Sequence, residues 1–433
     1  MSFLILEKLH QHKQGQPVGI PSICSAHPQV LEAAARLAAR NGTQLLIEST
    51  CNQVNQDGGY MGLTPEQFVA YVEEIAERCH LPVDRLILGG DHLGPYPWRR
   101  LPVEKAMEKA CQLVEAYALA GYTKIHLDTS MSCADDNPGL PLPGEIAAQR
   151  TAMLCRAAEN AVNRLKGKVP NLVYVIGTEV PTPGGVQAAH ESMQVTQVET
   201  AEYTIETTRQ AFSGFGLKSA WERVAAVVVQ PGIEFADRVV FPYERSRAAH
   251  LTSFIEGFDQ LVFEAHSTDY QSDETLKKLV EDHFAILKVG PALTFAYREA
   301  VFALSNMEVE FLKGIAGVQL SNLPEILEEV MLADPKSWEP YYQGDAVELR
   351  VSRKFSYSDR ARYYWTEPRL QQSLFRLFAN LNTYQIPETI LSQYLPVQYK
   401  RVRAGSLQLS PIELVIDYIS DAIQPYNRAC AGD

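Results

Sequence analysis

The chain has 433 residues, of which 46% are hydrophobic, and it carries a formal net charge of -13. This length exceeds one ordinary domain, and the acidic balance argues against nucleic-acid binding, because a negative surface repels phosphate polymers. The seven cysteines are scattered without a C-x-x-C pair, which argues against a disulfide framework and a structural zinc site and favours a reducing cytoplasm.

The amino-terminal segment is not predicted to be a signal peptide. Its short apolar run is followed at once by Glu7 and Lys8, and no small-residue cleavage site appears. No apolar stretch elsewhere reaches membrane-spanning length. We therefore expect an amino-terminal helix over residues 1–16 and a soluble, cytoplasmic protein without membrane contacts.

Eight short hydrophobic runs recur along the chain, each about as long as a buried strand and bounded by turn residues. They cover residues 18–24, 45–48, 86–92, 125–128, 173–179, 227–230, 261–266 and 286–289. Stretches with helical apolar spacing separate them, for example 28–40, 103–120, 144–165 and 294–312. This alternation predicts a (β/α)8 TIM barrel over residues 17–313, with its chemistry at the carboxyl ends of the strands.

Three of the predicted loops on that catalytic face are long. They cover residues 51–62, 129–143 and 181–196 and are rich in Gly, Pro, Asn and Asp, as expected of lids and specificity elements. The segment 53–62 could close over a ligand. Gly184 and Gly185 could bind a phosphate through backbone N–H groups, or they could form a plain turn.

Beyond residue 313 the strand pattern stops, and we predict a helical, aromatic extension over residues 314–433 that is packed on the barrel. Arg360, Tyr363 and Trp365 have the composition of a protein–protein interface anchor. The alternative is that the same aromatic side chains pack the extension onto the barrel.

The ends of the predicted strands carry polar residues. Because successive strand residues face opposite sides, His126 and Asp128 should share the inward face of one strand, and Glu264 and His266 that of another. An inward carboxylate costs several kcal/mol unless it is paired, protonated or bound to a cation. A convergent site is therefore expected, although each residue alone could simply be a satisfied hydrogen-bonding group, His126 above all.

The candidate site residues fall into three groups. The catalytic candidates are Asp91, Asp128 and Glu179. The candidate ligands of a divalent ion such as zinc or manganese are His92 and His266, with Glu264 in addition. The candidate ligand-binding residues are Glu48, Gly184, Gly185, Ser267 and Lys288. For Lys288 a Schiff base, a phosphate contact and an ion pair with a carboxylate all remain open.

Nucleotide cofactors are not expected. The chain contains no G-x-x-x-x-G-K-[ST] motif, which residues 216–219 only approach, and no dinucleotide fingerprint. We therefore predict neither ATP nor NAD binding.

The strand ends are familiar as a set of motifs. They are 25–28 (SAHP), 89–95 (GGDHLGP), 124–128 (KIHLD), 176–181 (IGTEVP), 229–232 (VQPG), 263–271 (FEAHSTDYQ) and 286–292 (ILKVGPA), with 357–360 (YSDR) and 392–396 (SQYLP) in the extension. Together they resemble the family of tagatose-bisphosphate aldolase non-catalytic subunits, GatZ/KbaZ. The resemblance implies a TIM-barrel protein that associates with a separate catalytic class II aldolase subunit and supports its activity and stability, in galactitol or N-acetylgalactosamine catabolism.

More distantly, the motif order is similar to that of the zinc-dependent class II aldolases. Asp91 and His92 match their strand-3 acid and metal ligand, while Glu179, the Gly184–Gly185 pair and His266 match later motifs. Gln230 stands where those enzymes have a metal-binding His, Asp269 replaces a residue of their phosphate-binding motif, and 290–292 (GPA) replaces their substrate-binding Asn and Asp. These departures imply that the chain has no aldolase activity alone.

Three functions remain open at this point. The first is the accessory aldolase subunit. The second is a metal-dependent epimerase acting on a ketose or its phosphate, with Asp128 or Glu179 as base. The third is a barrel that has lost its activity and only binds a sugar phosphate.

Overall fold

The computed structural model describes residues 2–137, 142–165, 171–177 and 194–432. Its strands are β1 (Ile20–Ile23), β2 (Leu45–Thr50), β3 (Leu86–Leu93), β4 (Lys124–Leu127), β5 (Val173–Ile176), β6 (Val224–Val228), β7 (Glu234–Phe235), β8 (Val240–Phe241), β9 (Val262–Ala265) and β10 (Phe284–Val289). Eight of them form a closed parallel barrel in the order β1-β2-β3-β4-β5-β6-β9-β10, and β10 pairs with β1. The predicted (β/α)8 TIM barrel is confirmed.

The remaining two strands, β7 and β8, form an antiparallel hairpin after β6. It was not predicted, because two-residue strands are too short to show an alternating pattern.

The α-helices alternate with the barrel strands and then continue alone. They are α1 (Ser2–Lys13), α2 (Pro28–Asn41), α3 (Pro65–Arg78), α4 (Val103–Leu119), α5 (Gly144–Asn163), α6 (Val198–Gly214), α7 (Lys218–Trp221), α8 (Arg245–Glu256), α9 (Asp273–Glu281), α10 (Pro291–Leu312), α11 (Leu323–Ala333), α12 (Ala346–Phe355), α13 (Pro368–Thr383), α14 (Glu388–Tyr394), α15 (Pro396–Arg403) and α16 (Pro411–Ala431). Short 3-10 helices cover Val83–Arg85, Tyr96–Trp98, Pro335–Ser337 and Arg360–Tyr363. Within the described ranges, no helix is both long and apolar enough to cross a membrane.

Helix α1 covers the amino-terminal end of the barrel. Its Ile5 and Leu9 are buried against residues at the starts of the strands, among them Ile20, Leu46 and Ile87. An apolar layer therefore fills this end of the barrel, and the polar residues lie toward the other end.

The extension packs closely against the barrel. Helix α16 lies against α2, α9 and α10, and its Leu414 and Ile419 are fully buried. The Tyr426 hydroxyl donates a hydrogen bond to the Thr268 carbonyl in the loop after β9, at 2.8 Å. One continuous hydrophobic core includes residues from both the barrel and the extension.

Candidate functional site

The barrel interior near the carboxyl ends of the strands holds a cluster of buried ionisable side chains. Its members are Glu48, Asp91, Lys124, His126, Glu264, His266 and Lys288. The strand alternation expected for His126 and for the Glu264–His266 pair is thus confirmed. A buried charge destabilises the folded protein unless an opposite charge or hydrogen bonds compensate it. The pairing of these side chains therefore determines which of them are available for chemistry.

Lys124 on β4 lies between two carboxylates. Its Nζ is 2.8 Å and 2.9 Å from the Glu48 oxygens and 2.6 Å from Glu264 Oε2, with no exposed side-chain surface on any of the three. Ser22 Oγ donates a further hydrogen bond to Glu48 Oε1 at 2.5 Å. Gly89 makes room for Glu48, since a Cβ at that position would lie 2.7 Å from Glu48 Cγ.

Lys288 on β10 contacts three carboxylates. Its Nζ forms an ion pair with Asp91 Oδ1 and lies 3.3 Å from Glu48 Oε2 and 3.4 Å from Glu264 Oε1. Burial alone would lower the pKa of Lys288, but Asp91, Glu264 and Glu48 outweigh burial and hold that pKa well above its usual range. Of the three roles left open for Lys288, the structure places it in the ion pair, and the protonated amine is not a nucleophile.

Three imidazole rings meet at the carboxyl end of the cluster. The rings of His92, His126 and His266 lie with centroids 5.0 to 5.2 Å apart. Each ring is hydrogen-bonded to a carboxylate: His92 Nδ1 is 2.9 Å from Asp128 Oδ2, His126 Nδ1 is 2.8 Å from Asp91 Oδ1, and His266 Nε2 is 2.9 Å from Glu264 Oε1. His92 Nε2 also lies 3.7 Å from Asp91 Oδ2. The histidines are therefore held in fixed orientations.

The environments of His92 and His266 push their pKa values in opposite directions. Burial, with the Lys288 charge in addition, lowers the pKa of His266 to about 3. Burial would also lower the pKa of His92, but Asp91 and the Asp128 hydrogen bond raise it. Near neutral pH, His266 is an uncharged ring suited to bind a metal, while His92 is suited to exchange a proton.

The cluster also fits a divalent cation. Asp91, His126, Glu264 and His266 each offer one ligand atom, and these atoms lie within 4.8 Å of one another. His126 Nε2 is buried and has no hydrogen-bond partner in the described part of the chain, as expected of a ring nitrogen available to a metal. The Lys288 ammonium contacts two of the same carboxylates, so a metal would compete with this lysine.

A cavity of about 100 Å³ opens above the cluster. It is lined by Cys24, Thr50, Asn52, Gln53, Tyr60, Asp91, His92, Phe235, His266, Ser267, Asp269, Lys288, Val289, Gly290, Pro291, Arg362 and Tyr363. A larger cavity of about 640 Å³ adjoins it and shares Gln53, Tyr60 and Arg362 with it. A small polar ligand could thus reach the histidines from the carboxyl end of the barrel.

Five of the sequence candidates line this cavity. They are Asp91, His92, His266, Ser267 and Lys288. His92 and Ser267 both have left-handed backbone conformations, with φ of 49° and 54°, a strain of the kind found at functional sites. The other described candidates, Glu48, Asp128 and Glu264, are buried but do not line it.

Three further candidates, Glu179, Gly184 and Gly185, lie outside the described residues. The predicted loops 129–143 and 181–196 are described only in part. The amide oxygen of Gln230 accepts hydrogen bonds from the backbone of Gly232 and Ile233, so Gln230 shapes a turn and is not part of the group that could bind a metal.

The extension residues predicted as an interface anchor are largely internal. Arg360 and Trp365 are only 3% and 2% exposed. The Arg360 guanidinium lies 3.1 Å from the centre of the Tyr341 ring, and the Trp365 ring packs edge-on against Tyr297 of α10. The Trp365–Tyr297 contact corresponds to the alternative in which the aromatic residues pack the extension onto the barrel, whereas the Arg360–Tyr341 contact lies within the extension. An interface role for this segment stays a prediction.

The structure adds residues that the sequence analysis did not select. Lys124 stands two positions before His126, so strand alternation alone could have placed it in the barrel. Tyr60 lines the cavity from the segment 53–62, for which the sequence suggested closure over a ligand, and Arg362 lines it from the extension. Neither was selected as a site residue, because only the tertiary fold brings the two together.

The chain matches one family model along nearly its whole length. The model, described as D-tagatose-1,6-bisphosphate aldolase subunit GatZ/KbaZ-like, covers residues 5–431. A crystal structure from Sinorhizobium meliloti 1021, named as a probable tagatose 6 phosphate kinase, is 45% identical, with a TM-score of 0.87 over 95% of this chain and 100% of that chain.

Two aldolase structures are more distant. Fructose-bisphosphate aldolase from Campylobacter jejuni is 12% identical, with a TM-score of 0.46 over 88% of this chain and 95% of its own. The YdjI aldolase from Escherichia coli K12 is 11% identical, with a TM-score of 0.44 over 87% and 97%. Likenesses this low carry no functional argument.

Proposed function

The chain belongs to the D-tagatose-1,6-bisphosphate aldolase subunit GatZ/KbaZ-like family, and on this basis we propose that it is a cytoplasmic accessory subunit of a class II D-tagatose-1,6-bisphosphate aldolase. Its role is to give the catalytic subunit full activity and stability in the catabolism of galactitol or N-acetylgalactosamine. The catalytic partner cleaves the bisphosphate to dihydroxyacetone phosphate and glyceraldehyde 3-phosphate. The observation that carries this proposal is the family match across residues 5–431.

The local chemistry supports a non-catalytic role in aldol cleavage. Gln230 uses its amide oxygen on its own turn, and the Asp269 carboxylate accepts hydrogen bonds from the backbone N–H groups of Gly290 and Ala292. Neither residue is free for the role that a metal-binding histidine or a phosphate-binding group plays in a class II aldolase.

Co-expression with a class II aldolase tests this role. We expect the chain to co-purify with the aldolase and to raise its rate of tagatose 1,6-bisphosphate cleavage and its melting temperature. The chain alone, with added zinc, should not cleave the bisphosphate. Cleavage by the isolated chain, or an aldolase unaffected by its presence, would contradict the proposal.

A second candidate function is a metal-dependent epimerase of a ketose or ketose phosphate. It is favoured by the group Asp91, His126, Glu264 and His266, which can bind a divalent cation beside an accessible cavity. When bound, such a cation would polarise the substrate carbonyl and acidify the neighbouring C–H bond. Of the two bases considered from the sequence, Glu179 lies outside the described residues, and Asp128 lies 2.9 Å from His92 Nδ1. In this candidate function the Asp128–His92 pair, rather than His92 as a metal ligand, takes a proton from carbon or returns it.

Metal analysis and hydrogen exchange test this second candidate. In deuterated water, an epimerase of this kind incorporates deuterium into D-tagatose 6-phosphate while it forms the epimer, both visible by NMR. His266→Ala should abolish both, whereas the exposed His250→Ala serves as the matched control. A chain that binds neither zinc nor manganese and produces no epimer would exclude this function.

A kinase role, which the name of the Sinorhizobium relative suggests, is not proposed for this chain. The sequence contains no phosphate-binding G-x-x-x-x-G-K-[ST] loop.

A further inference from the structure

Arg362 comes from the extension but lines the barrel site. The 3-10 helix Arg360–Tyr363 brings its guanidinium to the border between the two cavities, and Arg362 lines both of them. Below it, the smaller cavity reaches His92 and His266. A ligand that contacts these histidines would thus extend toward Arg362.

The guanidinium is held in place along one side. Its Nη1 donates hydrogen bonds to the carbonyl oxygens of Ser358 and Asp359, the latter at 3.0 Å, and its Nη2 donates to the Tyr363 hydroxyl at 2.9 Å. Since arginine has five N–H donors, the Nε hydrogen and one Nη2 hydrogen remain without a partner among the described residues. Such donors on a guanidinium can bind the oxygens of a carboxylate or phosphate.

Within the described ranges, no salt bridge joins Arg362 to a carboxylate. The neighbouring Asp359 carboxylate accepts a hydrogen bond from Thr294 at 2.5 Å and lies 3.8 Å from Arg298, and it acts on Arg362 only through longer-range attraction. The acceptors of the Arg362 hydrogen bonds named above are neutral oxygens, which compensate a partly buried charge less well than an anion does. The position of Arg362 beside a cavity suits an anion supplied by a ligand.

The usual phosphate position of a TIM barrel is already filled in this chain. TIM barrels often bind phosphate between the loops after the seventh and eighth strands, at a helix amino terminus. Here the corresponding N–H groups of Gly290 and Ala292, at the start of α10, donate to Asp269 Oδ1 at 3.0 Å and 2.8 Å. A ligand anion is therefore excluded from that position and has to be bound elsewhere.

We propose that Arg362 binds the anionic end of a sugar-derived ligand, either a phosphate or a carboxylate, whose polar carbon atoms reach His92 and His266. The extension thereby completes the ligand site of the barrel. This inference rests on the proposed function only in taking a sugar derivative as the ligand, and it holds for an accessory subunit and for an epimerase alike.

Calorimetric titration of the isolated full-length chain tests the inference. The probes are D-tagatose 6-phosphate, unphosphorylated D-tagatose and a hexuronic acid of the same length, so that the two anionic arms distinguish phosphate from carboxylate. We expect the wild type to bind one anionic sugar at least about tenfold more tightly than D-tagatose. Arg362→Gln should abolish this preference and leave the D-tagatose affinity unchanged.

Two further variants distinguish a loss of anion binding from a loss of folding. Arg369→Gln removes an exposed arginine that pairs with Glu329, and this variant should bind like the wild type. Arg362→Lys keeps the charge and a donor for the carbonyl contacts, and its affinity for the anion should be intermediate because the paired N–H geometry is lost. Melting curves establish that each variant is folded before it is titrated.

The outcomes that overturn the inference are distinct from those that overturn the accessory role. A wild type without preference for an anion, or a folded Arg362→Gln chain that keeps the preference, would overturn the binding role of Arg362. The titration contains no aldolase, so a failure to stimulate the partner contradicts only the proposed function.

Discussion

At the scale of single residues, the compensation of buried charge governs the site. Lys124 and Lys288 supply the positive charge that the inward carboxylates need. Two of these carboxylates, Asp91 and Glu264, also belong to the group that could bind a metal. Either the lysine ammonium groups or a bound cation can therefore compensate the buried negative charge.

Replacement of Lys124 by Met should destabilise the protein by about 3 kcal/mol or more, because it leaves Glu48 and Glu264 buried with only Lys288 as a shared partner. Urea denaturation of the purified chain measures this loss. The exposed Lys105→Met is the matched control and should change the free energy of unfolding by less than about 0.5 kcal/mol. A loss below about 1 kcal/mol for Lys124→Met would mean that water or a metal compensates these carboxylates.

Asp269 should make the stability of the protein depend on pH. Burial raises its pKa to about 6 from an ordinary value of 3.8, against the opposing hydrogen bonds from Ala292 and Gly290. Between about pH 4 and 6 the folded chain therefore holds a proton that the unfolded chain releases, and this contribution to stability is lost as the pH rises through that window.

Asp269→Asn keeps an oxygen for the two N–H donors but carries no charge. We expect it to raise the free energy of unfolding at pH 8 by on the order of 1 to 2 kcal/mol and to have little effect at pH 4. Chemical denaturation at both pH values measures the difference. Equal effects at the two pH values would show that Asp269 is not a strained buried charge, and the exposed Asp84→Asn is the control.

Part of the site could be predicted from the sequence, and part could not. Strand alternation correctly predicted that His126, Glu264 and His266 face the barrel interior, because the direction of a strand side chain depends only on its position within its own strand. Lys124 obeys the same rule but was not selected, since lysines are seldom buried. Arg362 reaches the cavity only through the packing of the extension, which no local pattern encodes.

At the scale of elements, the amphipathic helices tie the extension to the barrel. Helix α16 presents Leu414, Ile419 and Tyr426 to the core between α2, α9 and α10. Helical apolar spacing predicted several barrel helices, such as α2 and α4, close to their observed bounds. The β7–β8 hairpin, by contrast, had no pattern long enough to detect.

Ile419→Ala should lower the free energy of unfolding by about 2 to 5 kcal/mol, because it leaves a cavity between α16 and the barrel helices. Thermal and urea denaturation measure this effect. Val397, on the surface of α15 and 47% exposed, provides the control, since its change to Ala removes little buried surface. Equal effects for the two variants would mean that α16 is only loosely attached.

At the scale of the whole molecule, barrel and extension share one core. The ligand cavity also draws on both, since Arg362 and Tyr363 join residues of the barrel strands there. The sequence suggested a helical extension packed on the barrel, but it did not identify the residues in contact. These residues lie far apart in the chain, and no local pattern marks them.

The whole chain should unfold in a single transition. Incorporation of 5-fluorotryptophan gives one 19F NMR signal for each of the four tryptophans, of which Trp98 and Trp221 lie before residue 313 and Trp338 and Trp365 after it. We expect all four native signals to disappear at the same denaturant concentration. Earlier loss of the Trp338 and Trp365 signals would show that the extension is an independently folding unit.

The ion pairs between Glu48, Lys124 and Lys288 also have a consequence for the order of folding events. Glu48 on β2 and Lys288 on β10 are 240 positions apart in the chain, so their contact requires that the second and the last strand of the barrel have already come together. Contacts between such distant residues form late, after the slow closure of long loops. Substitutions in this cluster should therefore accelerate unfolding far more than they slow refolding, so that the buried charges mainly prolong the lifetime of the native state.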